Sequence, residues 1–98
     1  MEIIFVVTVF EQEGDIYVTR SYYFKKEDDA YKFGSKKWKS YMMNVVKERD
    51  FSRISAAITR IEQISDYRML FKQSADLADS LEYHMPTKIH ILPARLLG

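Results

Sequence analysis

The apolar positions of this chain change period from segment to segment, and the changes mark its elements. From Glu2 to Phe10 the run "EIIFVVTVF" is apolar on both parities, as expected of a central strand covered on two sides. "EQEGD" follows, where Gly14 supplies the positive φ of a hairpin turn. The next run, Ile16 to Phe24, alternates. Ile16, Val18, Tyr22 and Phe24 share one face, interrupted by Arg20; Tyr17, Thr19, Ser21 and Tyr23 share the other. This predicts a half-buried second strand of the hairpin.

The period then becomes helical. Glu27, Asp28 and Asp29 stand where a helix presents its positive dipole end, and Lys47 and Arg49 stand near the other end. At 100° per residue, Ala30, Tyr31, Gly34, Trp38, Tyr41, Met42 and Val45 form one apolar arc, with Lys32, Lys36, Lys39 and Lys47 opposite. The lysines therefore read as the wet side of a packed helix. Gly34 at the centre of the arc costs about 1 kcal/mol of helix propensity relative to Ala. Its presence there predicts that a strand or a ring packs close against it.

Residues 51–64, "FSRISAAITRIEQI", fit two templates. Phe51, Ile54, Ile58 and Ile61 follow a 3-4-3 helical spacing, whereas Ile54, Ala56 and Ile58 alternate as in a strand. Ile and Thr favour strands, and a bare hairpin needs a third strand to be stable, so we expect a strand here. A second helix follows, capped by Ser65 or Asp66, with Tyr67, Leu70, Phe71, Ser74, Leu77, Ala78 and Leu81 on one face. Pro86 ends that segment, and "TKIHIL" reads as a short edge strand before Pro93. Ile89, Ile91, Leu92, Leu96 and Leu97 are too many apolar residues to leave in water, so the tail must pack on the domain or on another chain. The expectation is a single α+β domain over residues 1–98, an antiparallel sheet in the order ββαβα(β) with helices mainly on one face.

Composition narrows the function classes. Ninety-eight residues, 47% hydrophobic and 30% charged, suit one globular core. Seven of the fourteen aromatic residues are tyrosines, a type that suits contact surfaces. The net charge of +1 hides a gradient: residues 1–19 hold four acids and no Lys or Arg, while residues 20–49 carry a local +5. A strongly acidic nucleic-acid mimic is thereby excluded. The absence of cysteine removes disulfides, thiolate nucleophiles and thiolate metal sites, and fits a cytoplasmic protein. The first apolar run is too short to span a bilayer and has no basic lead-in, so no membrane role is expected.

Candidate chemistry is sparse. His84 and His90 make no metal-ligand spacing, and the three glycines, Gly14, Gly34 and Gly98, build no phosphate loop. No serine stands in a nucleophile motif, so neither an enzyme nor a cofactor is expected. Two features ask for a partner: the Tyr17 and Tyr23 face of the second strand, joined by Arg20 if a bulge turns it outward, and the apolar tail. Lys32, Lys36 and Lys39 would form a basic rim.

A hairpin ending "SYYF", a helix start "KKEDDAYKFG" and the run "AAITRIEQI" together resemble the small hairpin–helix–strand proteins common in bacteriophage genomes. The resemblance covers roughly residues 2–64. It implies an accessory factor that binds a host protein as an inhibitor or adaptor. The alternative is a nucleic-acid-binding module using Arg20, Lys25, Lys26, Lys32, Lys36 and Lys39, and the third reading is a homo-oligomeric structural protein. Nucleic acid is not favoured, because a stacking platform needs exposed rings beside its lysines.

Overall fold

Gly14 sets the first turn. In the computed structural model, which describes residues 2–46, 48–81 and 88–96, it has φ of 63°. With Asp15 it links β1 (Glu2–Glu13) to β2 (Ile16–Phe24). Positive φ at the first loop position only is the type II′ pattern, whose twist matches that of antiparallel strands. The β1–β2 ladder runs unbroken from Phe5↔Phe24 to Glu13↔Ile16.

Helix α1 (Glu27–Val45) opens with the three expected acids and buries Ala30, Gly34, Ser35, Trp38 and Met42 against its neighbours. Phe33 fills the space beside β2, with its ring centroid 4.6 Å from that of Tyr22 and 5.2 Å from that of Phe24. Lys37 lies along the same rings, its Nζ 5.5 Å from the Tyr22 centroid. The aromatic stripe is thus packed, and Lys32, Lys36 and Lys39 are exposed, as the periodicity predicts.

The segment expected to form a third strand is instead helical. A single 3-10 turn (Glu48–Asp50) leads into α2 (Phe51–Ile61). Ile54 and Ile58 are buried while Ala56, which an alternating strand would bury with them, is exposed. The 3-4-3 spacing prevails over β propensity because α2 needs only one apolar stripe to lie beside α1 and α3. The third strand is β3 (Lys88–Leu96), which pairs antiparallel with β1 from Glu2↔Leu96 to Phe10↔Lys88. The element order is therefore ββαααβ, with β1 at the centre of a three-stranded sheet ordered β2-β1-β3. Rather than stopping before Pro93, β3 runs through it, opposite Phe5. An edge strand tolerates proline because one of its sides lacks ladder partners.

Between α2 and β3, helix α3 (Tyr67–Ser80) starts at Asp66, whose carboxylate accepts from the backbone N–H groups of Arg68 (3.0 Å) and Met69 (3.3 Å). α1 lies on one face of the sheet and α2 and α3 pack beside it, in a molecule 15 Å along its shortest axis. The core between the layers gathers Val7 and Val9 of β1, Ile89 of β3, Ala30, Trp38 and Met42 of α1, Ile54 and Ile58 of α2, and Ala78 of α3. Among the described residues the buried indole N–H of Trp38 has no hydrogen-bond partner, a cost of about 1–3 kcal/mol that the burial of its large ring offsets. Lys47, His84, Pro86 and Leu97 lie outside the described residues.

The expected close approach at Gly34 is present. A Cβ at that position would lie 2.8 Å from Cε2 of Phe71 and 3.0 Å from Cδ1 of Ile91. One missing methyl group lets α1, α3 and β3 meet. Gly34→Leu should lose about 1–3 kcal/mol by overpacking. Gly34→Ala should gain nothing in the wild-type background, but should recover up to about 1 kcal/mol of helix propensity once Phe71→Leu removes the ring. Urea denaturation of the two single variants and the double variant measures both terms.

Candidate functional site: the open face of the sheet

Directly paired residues in an antiparallel ladder point to the same side of the sheet. Val7 and Val9 face the helices, so their partners Tyr22 and Arg20 in β2, and Ile91 and Ile89 in β3, do so too. The other parity is open from Val6 to Phe10, so β1 is central but not covered on two sides as its apolar run predicts; only toward the start of the strand, at Ile4, is this parity buried among the described residues. Tyr23, Val6 and Leu92 form one row across it; Ser21, Thr8 and His90 form the next; Thr19, Phe10 and Lys88 form a third. Tyr17 lies beside Gln12 at the hairpin end.

Large apolar groups are exposed here. Tyr17 is 79% accessible, Tyr23 68% and Leu92 64%, values that a covering helix would have cut to a fraction. Phe10 and Leu96 are also exposed, and the ring of Phe10 meets that of His90 edge-on with centroids 5.3 Å apart. Full charges on this face are confined, among the described residues, to Glu2 and Lys88. The polar row of Ser21, Thr8 and His90 runs between the apolar groups of Tyr23 and Leu92 and the ring of Phe10.

Of the sequence-predicted site residues, Tyr17 and Tyr23 therefore share one open surface, and Arg20 does not join them. The ladder has no bulge to turn Arg20 over. It lies on the helix-covered side, with Nη1 4.0 Å from Oε2 of Glu11. There Glu11 also accepts a hydrogen bond from the hydroxyl of Tyr41, tying α1 to β1 near the hairpin end. Lys32, Lys36 and Lys39 are on the helical side of the molecule, away from both tyrosines. Phe10 and His90 complete the open face and are not singled out as partner residues from the sequence, while Leu92, which the sequence assigns to the apolar tail, joins the two tyrosines here. The signal was the parity of β3, which becomes readable only once its register with β1 is known.

Among the described residues no three His, Asp or Glu side chains gather where they would hold a metal ion, and no helix is long and apolar enough to cross a membrane. No protein family, no curated protein and no solved structure matches the chain.

Burial, and then the hydrogen bond to Glu11, hold the Tyr41 hydroxyl proton well above the ordinary tyrosine range. The folded state thus keeps this proton at a pH where the unfolded chain, titrating near pH ~10, gives it up. Stability should therefore fall as pH rises above about 10. Tyr41→Phe should flatten that alkaline slope while losing roughly 1 kcal/mol at neutral pH, the net value of one hydrogen bond. Denaturation curves of both proteins at pH ~8 and pH ~11 measure the difference.

Proposed function

We propose that this chain is a non-enzymatic protein-binding module, an inhibitor or adaptor of the phage type, that seats its partner on the open face of the sheet. The observation that carries this reading is the exposure of Tyr17, Tyr23 and Leu92 on a surface with almost no charge. Tyrosine contributes large contact area at low entropic cost, and charged groups are depleted from interface centres. The matching partner is a protein with an apolar, weakly charged surface broad enough to lie across three strands.

The nucleic-acid reading has less support, because its components are on different sides. Lys32, Lys36 and Lys39 line the helical layer, Arg20 is paired with Glu11, and the exposed tyrosines occupy the far face. A stacking platform needs rings and cations on one track.

Capture of a host protein from a bacterial lysate, followed by binding measurements on variants, tests the proposal. Tyr17→Ala and Tyr23→Ala should leave the melting temperature nearly unchanged, since both rings are exposed. Each should weaken binding about thirtyfold, the effect of losing an interface anchor worth about 2 kcal/mol. Normal binding by both variants would overturn the assignment of this face. Self-association abolished by the same substitutions would favour the homo-oligomer. Salt-sensitive DNA or RNA binding abolished by Lys32, Lys36 and Lys39 to Glu would favour the nucleic-acid module.

A further inference from the structure

On the helical side, α1, α2 and α3 converge around a cleft of about 180 Å³. Met42 of α1, Ile58 and Ile61 of α2 and Leu70 of α3 supply apolar lining from all three helices. Ser35 and Ser74 also line it, and they are the two buried polar residues of the described structure. Each hydroxyl donates to the carbonyl one turn back, Tyr31 and Leu70 respectively, at 2.8 Å. Their hydrogen-bonding need is thus met within the helix. Their small size at core positions leaves open the space that a leucine would fill.

The rim is cationic. Lys32, Lys36 and Lys39, spaced to share one side of α1, border the cleft, and among the described residues Glu62 is the single acid lining it. Glu62 is committed to Lys39, with Oε1 2.6 Å from Nζ. Lys32 rests over the Tyr67 ring, 5.8 Å from its centroid. Lys36, between them, has neither an acidic nor an aromatic partner among the described residues. An apolar hollow with one uncommitted ammonium at its edge is complementary to an amphipathic anion. The volume sets the size, because an apolar cavity of about 150 Å³ accepts benzene.

We infer that this cleft binds a small amphipathic carboxylate, its ring-sized apolar body against Met42, Ile58 and Leu70 and its carboxylate at Lys36. The site is separate from the open sheet face, and its occupancy does not depend on the partner proposed there.

The test is a titration of the amide NMR spectrum with four probes: phenylacetate, 2-phenylethanol, 2-phenylethylamine and acetate. Phenylacetate should shift Ser35, Ile58 and Ser74 saturably and bind about fivefold tighter than the alcohol, the value of one exposed ion pair. The amine should bind weakest of the aryl probes, and acetate should not saturate. Lys36→Glu should invert the order of phenylacetate and the amine, and Ser74→Leu should abolish binding of all aryl probes by filling the hollow. The inference is overturned if no aryl probe gives saturable shifts at the cleft, if the three head groups bind equally, or if acetate binds as well as phenylacetate. It is equally overturned if folded Ser74→Leu protein still binds. Should that variant not fold, the inversion by Lys36→Glu decides alone, because an exposed lysine tolerates replacement.

Discussion

The close contact at Gly34 is the constraint on which the rest of the arrangement depends. Phe71 of α3 and Ile91 of β3 both reach the position that a Cβ would occupy. Two helices and a strand therefore share one point, and the helical layer is locked to the sheet at the strand farthest from the hairpin. A side chain there would lift α3 away from α1 and separate both from β3. The helix gives up about 1 kcal/mol of intrinsic propensity to keep this contact. Phe71 and Ile91 are each half-buried at this contact, and their burial offsets that loss, full burial of a side chain of this size being worth about 1.5–3 kcal/mol.

That contact also shows what the sequence made legible. A glycine in the middle of an apolar arc is informative because helices avoid glycine, so both its burial and the approach of a ring could be read in advance. The elements of the hairpin and α1 were equally readable from turn chemistry, the alternation of β2 and helical period, although the apolar run of β1 suggested cover on both faces and one is open. Residues 51–61 were not, because local propensity and period disagree there: isoleucine and threonine favour strands while their spacing suits a helix. What settles the conflict is non-local. β3 occupies the free edge of β1, and α2 finds an apolar groove beside α1 and α3. Register is the other missing quantity. Tyr17 and Tyr23 could be placed on one face from β2 alone, but Phe10 and Leu92 could not join them until β1 and β3 were aligned. Arg20 followed the parity of its strand, and the bulge that would have moved it is not present in the β1–β2 ladder.

The two layers divide the surface by character. The helical side carries the lysine row and its pairing with Glu62, while the sheet side mixes rings, aliphatic groups and uncharged polar side chains, its two charges among the described residues standing far apart. The separation follows from period. A helix places residues three and four apart on one side, and a strand places residues two apart on one side, so each element sorts its own chain. The opening of α1 shows the sorting at close range. Phe33 and Tyr22 meet beneath Lys37, whose ammonium lies over both rings, 5.6 Å and 5.5 Å from their centroids. Ionic strength should accordingly act on one side of the molecule and leave the other nearly untouched.

The pairing of β3 with β1 carries a consequence for how the chain reaches this state. β1 is the first strand to be made and β3 the last, and most of the chain separates Phe10 from its partner Lys88. The hairpin closes through two residues and α1 forms from local contacts, whereas the β1–β3 ladder must wait for a long loop to close. During synthesis β1 therefore stands with one edge unpaired until β3 has left the ribosome. An Ile- and Val-rich edge in that condition is a template for any passing strand. The late strand does more than complete the sheet: it ends the period in which β1 is most exposed to aggregation.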